Sequence, residues 1–108
     1  MGQTNFVLMI MYDVPVNQKK EQQTYRKFNS FLQKSGFYLL QNSIYIKPLS
    51  EKQANQKYIN KIKELVTDLG HIRALTLTYQ QFLAIELVIG DDTWGEKLIK
   101  TNNSVLAI

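Results

Sequence analysis

The sequence predicts one α+β domain in which a β-α-β-β-α-β order is followed by one or two extra C-terminal strands. Three observations predict this class: an uninterrupted apolar run at residues 6–12, two segments with apolar residues at helical spacing, and alternating segments within residues 37–47 and 71–79. The 108 residues fit a single domain. We expect a core at about residues 5–90 and a tail at residues 91–108.

The apolar run is expected to form the first strand, and it ends at an acidic residue. A strand with both faces apolar belongs in the middle of a sheet that is covered on both sides. The run ends at Asp13, and Pro15 then stops strand pairing because proline has no N–H to donate. Asp13 is therefore predicted at the carboxyl end of a central strand, where open α/β sheets place their ligand sites.

Two helices are predicted, each followed by a glycine that can adopt the left-handed conformation of a C-terminal cap. The first covers about residues 18–35 and ends at Gly36, and the second runs from an N-cap at Ser50 to Gly70. Gln53 is expected to complete a capping box with Ser50. The predicted buried faces consist of Tyr25, Phe28, Phe31 and Leu32, and of Ala54, Tyr58, Ile62, Leu65, Val66 and Leu69.

The remaining strands are predicted at residues 37–40, 43–47, 71–79 and 82–89, with a last short strand at residues 105–108. Residues 82–89 are apolar except at Glu86, which is too apolar for an exposed edge strand, so another chain or the tail is expected to cover them. This order is the ferredoxin-like pattern, in which two helices pack on one face of a four-stranded antiparallel sheet. The first and third strands lie in the middle of such a sheet.

Charge is distributed unevenly along the chain, whose net charge is +4. Residues 14–63 contain ten basic and two acidic residues, whereas residues 64–108 contain three basic and six acidic ones. A basic half indicates an anionic partner, nucleic acid above all, although a pair of solvated lysine-rich helices gives the same pattern. The lack of cysteine excludes disulfides, thiolate-bound zinc and thiol nucleophiles. Without a signal peptide or a bilayer-spanning run, a cytoplasmic protein with no membrane contact is expected.

Asp13 is the first candidate for chemistry. Magnesium uses only one or two protein carboxylates and keeps several waters, so one aspartate per chain suffices if a symmetry mate supplies the second. The ion would polarise a phosphodiester oxygen or lower the pKa of a bound water. Alternatively, Asp13 only accepts hydrogen bonds from backbone N–H groups of the turn that follows it.

Four basic residues follow Asp13 closely and could hold phosphates by charge without reading bases. They are Lys19, Lys20, Arg26 and Lys27. The second helix offers a similar set in Lys52, Lys57, Lys61 and Lys63. Both sets are equally at home on a solvated helix face. An RNA-recognition motif shares this topology, but the glycine-aromatic segment that it needs is missing around Tyr45.

Two further candidate residues are each the single example of their type in the sequence. His71 is the only histidine, and we interpret it as a capping or surface residue rather than a general base. With no second histidine and no nucleophile elbow, a hydrolase triad has no support. Trp94 is the only tryptophan and lies in a polar turn region, so we interpret it as a packing anchor for the tail.

Several short segments, taken in order, point to a known family. They are Met11-Tyr12-Asp13-Val14-Pro15, Tyr25-Arg26-Lys27-Phe28, Gly36-Phe37, Leu40-Gln41-Asn42-Ser43-Ile44-Tyr45, the start of the strand after Gly70, Thr78-Tyr79-Gln80-Gln81-Phe82 and Ile89-Gly90. With these segments the chain resembles the small CRISPR-associated adaptation protein, the "Cas two" family. The Tyr-Arg-Lys-Phe and Gln-Gln-Phe pieces are most similar to members from systems with a single large effector nuclease.

The resemblance implies a ferredoxin-like homodimer in which the last strand crosses to extend the partner's sheet. Asp13 is then expected to face its twin across the two-fold axis and to share magnesium with it, near a strand entry formed by Gln41 and Ser43. At Lys19 and Lys20 many members carry arginine, so a bidentate grip on phosphate is not expected there. The implied dimer interface consists of Phe82, Leu83, Ile85, Leu87 and Ile89.

Three functions follow from the residues and the resemblance. The preferred one is a subunit of CRISPR adaptation, a dimeric scaffold that binds double-stranded DNA, or RNA, and works with the CRISPR integrase subunit in spacer acquisition. The second is a magnesium-dependent endonuclease that cuts RNA or DNA through the paired Asp13 residues and is inactive within the integration complex. The third is a non-catalytic ferredoxin-like interaction module.

Overall fold

The structure, a computed structural model, describes residues 3–67 and 70–107, with side chains described as far as residue 101. Within these residues, no helix has the length and apolar character needed to span a bilayer. A short 3-10 turn at Lys52–Ala54 precedes the second helix. The strands are β1 (Phe6–Asp13), β2 (Tyr38–Gln41), β3 (Ile44–Leu49) and β4 (His71–Thr78), and the helices are α1 (Lys19–Lys34), α2 (Asn55–Leu65), α3 (Tyr79–Leu83) and α4 (Trp94–Ala107).

The four strands form one antiparallel sheet in the order β2-β3-β1-β4, so β1 and β3 are central, as predicted. β1 pairs with both neighbours along most of its length, and its last pair with β4 joins Asp13 to His71. Val7, Leu8 and Ile10 are fully buried. The apolar run of β1 is therefore covered on both faces, which is the environment that its composition requires.

The helices α1 and α2 cover one face of the sheet, here called the helical face. Leu8 and Ile10 project onto this face, where Phe28 and Leu32 of α1 and Ile62 of α2 are buried with them. The buried faces predicted for the two helices are thus confirmed at these positions. Leu69, predicted to belong to the same face, lies outside the described residues.

The opposite face of the sheet, here called the tail face, carries Val7, Met9 and Ile46. Phe82 of α3 and Ile99 of α4 are buried against it. The ferredoxin-like class is confirmed, with an addition that the pattern did not include. The chain partly covers the second face of its sheet with its own C-terminal helices.

The prediction of extra C-terminal strands is wrong within the described residues. Residues 82 and 83 end α3, residues 84–90 belong to neither a helix nor a strand, and residues 105–107 belong to α4. Ile108 lies outside the described residues. The apolar composition of residues 82–89 suits a strand, but local hydrogen bonds start a helix just before this segment and change its course.

The local hydrogen bonds form a capping box at the start of α3, and a second capping box starts α4. At the start of α3, the Gln81 backbone N–H donates to Thr78 Oγ1 at 3.1 Å, and the Thr78 N–H donates to Gln81 Oε1 at 2.9 Å. Thr93 and Glu96 exchange the same pair of bonds at the start of α4. Each box satisfies backbone donors that a new helix would otherwise leave unpaired.

α4 approaches the edge strand β2 very closely. A Cβ atom on Gly95 would collide with the Cβ of Tyr38 and lie 2.8 Å from its Cγ. The Trp94 ring packs edge-on against the Tyr38 ring at 5.7 Å, so Trp94 does anchor the tail, although its side chain remains 69% exposed. Lys100 binds Asp92 at 3.2 Å, which ties α4 to the segment before it.

Other boundaries differ from prediction by a few residues. The 3-10 turn begins after Glu51, which makes no side-chain cap bond, so the capping box predicted from Ser50 to Gln53 is wrong. β3 continues through Pro48 because β2 pairs with it only as far as Ile46. Pro48 therefore pairs with β1 alone. Because proline has no N–H to donate, it removes at most one hydrogen bond between the strands.

Candidate metal and nucleic-acid site

Asp13 ends β1 with an exposed side chain, at the carboxyl end of a central strand as predicted. β4 continues beside it, with His71 directly opposite. β3 pairs with β1 only as far as Met11 and does not reach Asp13. None of the hydrogen bonds described for residues 3–67 and 70–101 uses the Asp13 carboxylate, so a role confined to bonding the following turn has no support there.

Gly70 determines how closely the start of β4 approaches Asp13. Its φ of +72° lies in the left-handed region, and a Cβ atom at this position would collide with the Asp13 carbonyl oxygen and lie 2.8 Å from Val14 Cα. Only a residue without a side chain fits, for both conformational and steric reasons. The backbone of Gly70 thus holds the Asp13–Val14 peptide in place.

Ser43 supports the same end of β1 from the other side. Its φ of +66° is the one left-handed value among the described residues other than glycine. This conformation turns its carbonyl toward β1, where it accepts a hydrogen bond from the Tyr12 N–H at 3.0 Å. Gln41 pairs with Ile44 across the same turn and is exposed. The strand entry predicted from Gln41 and Ser43 therefore lies beside the residue that precedes Asp13.

An aromatic cluster surrounds Tyr12, the residue before Asp13, on the helical face. Its members were not predicted as site residues. The Tyr12 ring is 5.0 Å from Phe28, and it is 6.1 Å from both Tyr25 and Tyr45. The Tyr45 hydroxyl donates to Asn29 Oδ1 at 2.7 Å. Burial, followed by the hydrogen bond and charge interaction with Tyr25, raises the pKa of Tyr12 far above its usual value. Tyr12 is therefore a neutral phenol at physiological pH, and it packs on the helical face, opposite the face from which Asp13 projects.

The four predicted basic residues of the first helix all lie on its exposed side. Lys19 and Lys20 form the first turn of α1, close in the chain to Asp13, while Arg26 and Lys27 lie about two turns further on. Ion pairs described for residues 3–67 and 70–101 involve none of the four. Their charges are thus available to an external anion.

α1 and α2 enclose an open groove of about 390 Å³ between them. Its lining combines cations with an apolar floor made by Phe31 and Leu65. Of the lysines predicted on the second helix, Lys61 lines this groove and pairs with Glu64 at 3.4 Å, and Lys57 lies 5.0 Å from the Tyr58 ring centre. The cations of the groove are Arg26, Lys27, Lys34 and Lys61.

Apolar side chains remain exposed on the C-terminal part of the chain. Six of them are between 40% and 90% exposed: Leu75, Leu83, Ile85, Leu87, Val88 and Ile89. Phe82, which the resemblance assigned to the dimer interface, is only 1% exposed and belongs to the core under the tail face. The fold of the single chain therefore accounts for the burial of Phe82, but leaves the six others uncovered.

The family model described as CRISPR associated protein Cas2 matches residues 5–85. The chain belongs to the Cas2 family. The resemblance seen in the sequence is thereby confirmed, and it places the protein in CRISPR systems. The match ends before α4, so the helix that covers part of the tail face lies beyond the segment that the Cas2 model describes.

Individual Cas2 relatives agree with this assignment. A protein of Campylobacter jejuni named CRISPR-associated endoribonuclease Cas2 is 33% identical over 92% of this chain and 69% of its own length. One of the same name from Streptococcus mutans is 36% identical over 78% of both chains. A solved structure described as the crystal structure of cas2 has a TM-score of 0.60 at 18% identity and covers 84% of this chain and 93% of its own, which supports the fold.

The donor set of one Cas2 chain suits only an open metal site. Within the described residues, no three histidine, aspartate or glutamate side chains come together as metal ligands would. Asp13 is nevertheless exposed and carries no described hydrogen bond, and magnesium needs only one or two protein carboxylates. Asp13 therefore fits as one ligand of an open divalent-ion site.

The role of Gly70 can be tested by comparing it with Gly36, whose φ of +84° is similar. Alanine at either position incurs a left-handed strain of about 1–2 kcal/mol. Gly70→Ala also forces its Cβ into the backbone of Asp13, which adds about 1–3 kcal/mol, whereas at Gly36 the near atom is the flexible Lys47 Nζ at 2.9 Å. Chemical denaturation should therefore show a larger loss of unfolding free energy for Gly70→Ala. Equal losses would mean that the close approach does not constrain Asp13.

Proposed function

We propose that this Cas2 chain works as a homodimer that pairs through the tail face. The exposed apolar residues support this, because large apolar patches on a soluble chain mark interaction sites. Leu75 projects onto the tail face, opposite Met9 in the β1–β4 register, and Asp13 follows on the same face four pairs beyond Met9. Pairing through this face puts both Asp13 side chains on the sheet faces that the two copies turn toward each other.

Leu87→Lys should weaken the dimer. Leu87 is 51% exposed in the single chain, and losing the burial of one leucine costs about 1.5–3 kcal/mol, which is a tenfold or greater rise in the dissociation constant. Sedimentation equilibrium measures this change directly.

Leu39→Lys is the matched control, because Leu39 is 48% exposed but lies on the edge strand β2 opposite Tyr45, which belongs to the core on the helical face. It should leave the dimer intact. A wild-type protein that sediments as a monomer, or equal effects of the two variants, would contradict pairing through the C-terminal residues.

We further propose that the dimer binds the sugar-phosphate backbone of a nucleic acid and serves as a scaffold for duplex DNA in spacer acquisition, together with the CRISPR integrase subunit. The observation that supports this function is the row of unpaired cations on α1, which continues into the groove shared with α2. Cations on exposed helix faces hold phosphates without reading the bases. A scaffold that accepts any new spacer needs that lack of sequence preference.

The salt dependence of DNA binding tests this proposal. For duplex DNA, log affinity falls against log salt with a slope of roughly −0.9 for each phosphate contact. The double variant Arg26→Gln/Lys27→Gln should therefore make the slope shallower by up to about 2. Fluorescence anisotropy with a labelled duplex at several salt concentrations gives the slopes.

Lys97→Gln provides the control, since Lys97 is an exposed lysine of α4, the helix on the other side of the sheet. It should leave the slope unchanged. A wild-type slope near zero would argue against phosphate binding altogether. In that case, a dimer that still co-purifies with the integrase subunit would be a non-catalytic interaction module.

A second function, metal-dependent cleavage of RNA, is favoured by the exposed carboxylate of Asp13 and by the endoribonuclease name of the relatives. Asp13 of each copy would hold a divalent ion, magnesium in the first instance. A bound ion of this kind supplies Lewis-acid polarisation of a phosphodiester oxygen. The chain itself positions the carboxylate through Gly70 and Ser43, and its cations on α1 hold the neighbouring phosphates.

Asp13→Asn should abolish cleavage while it leaves binding intact. The amide keeps the shape of the side chain but removes the charge that holds the ion, so we expect a loss of at least about 10–100-fold, the loss typical of a disturbed metal site. Cleavage of a labelled single-stranded RNA with added magnesium measures it. Asp91→Asn, at another exposed aspartate, should cleave normally. Unchanged activity in Asp13→Asn would assign the cleavage to another site or to a contaminant.

A further inference from the structure

We infer that His71 is a second metal ligand beside Asp13, so that the site prefers a transition-metal dication such as Co²⁺ to Mg²⁺. This inference rests on the proposed metal site at Asp13. The sequence interpretation of His71 as a capping or surface residue agrees with its exposure. His71 is exposed, but it is the first residue of β4 and lies directly across the sheet from Asp13.

The register brings the two side chains within reach of one ion. Residues directly opposite each other on antiparallel strands project from the same face, with Cβ atoms about 4.5–5.5 Å apart. Metal bonds to histidine nitrogen and carboxylate oxygen are about 2.0–2.2 Å long, so an aspartate and a histidine so placed can bind a single ion between them. Both side chains are exposed, and the backbone of Gly70 fixes the start of β4 against Asp13.

Arg73 follows on the same face of β4, opposite Met11, and it is also exposed. Its charge reduces the negative potential beside Asp13, which weakens the binding of an ion held by charge alone. This repulsion acts on any dication at the site. A bond from the His71 imidazole would offset part of it, which Asp13 alone cannot do.

The kind of donor determines the metal. Carboxylates and water suit Mg²⁺ and Ca²⁺, whereas imidazole suits later divalent ions of the first transition row, whose affinities rise from Mn²⁺ to Cu²⁺. Because the described part of one chain supplies Asp13 and His71 here, a dimer would supply two carboxylates and two imidazoles. Such a set, with water in the open positions, binds Co²⁺ more tightly than Mg²⁺.

The test uses the full-length chain without a purification tag. His71 is the only histidine, so any imidazole ligation must come from it. Isothermal titration with CoCl₂ and, separately, with MgCl₂ is carried out on wild type, His71→Ala and Asp13→Asn. We expect His71→Ala to lose Co²⁺ affinity by about tenfold or more while its Mg²⁺ affinity stays within about twofold. Asp13→Asn should lose both metals.

Unchanged Co²⁺ affinity in His71→Ala would overturn the inference. If Asp13→Asn still loses both metals in that case, the proposed site at Asp13 stands without its histidine. If Asp13→Asn also binds both metals as wild type does, the inference and the metal-dependent function fail together. Because His71 is exposed, His71→Ala is expected to fold normally, and His71→Gln, which keeps a polar side chain without an imidazole, should bind Co²⁺ as weakly as His71→Ala.

Discussion

The structure depends on the burial of β1 from both sides. Val7, Leu8 and Ile10 are fully buried, and successive residues of a strand face opposite sides of the sheet. One helical layer can therefore bury only half of this strand. The second face needs a cover of its own, which α3 and α4 supply in part. The partial nature of that cover leaves apolar side chains such as Leu87 and Ile89 in solvent, and this is the physical reason to expect a second copy.

The fold of residues 5–79 could be predicted because its signals are local and agree with one another. Apolar spacing marked α1 and α2, and the unbroken run marked β1 as central. The tail could not be placed in this way because two local signals conflict there. Residues 82–89 have the composition of a strand, while Thr78 and Gln81 form a capping box that starts a helix. The Thr78 and Gln81 pair can be read from the sequence, and the structure contains the helix that it caps.

The candidate site was only half predictable for a different reason. Asp13 could be placed at a strand end because Pro15 follows it within two residues. The proposed second ligand could not be identified, since His71 is 58 positions away and only the register of β1 with β4 brings the two together. Tyr12 and Tyr45 meet through another non-local pairing, that of β1 with β3. Register depends on the whole hydrophobic pattern of the sheet, so no motif near Asp13 reports it.

The sheet also separates the two proposed activities of the chain. Asp13 and His71 project from the tail face, whereas the groove between α1 and α2 lies above the helical face. α1 begins six residues after β1 ends, and Tyr25 and Phe28 in its later turns contact Tyr12 on the helical face. A nucleic acid held in the groove therefore reaches Asp13 only by passing around the end of β1 to the tail face. In the proposed function, a duplex confined to the helical face is bound but not cut. Cleavage requires a strand that bends around the end of the sheet.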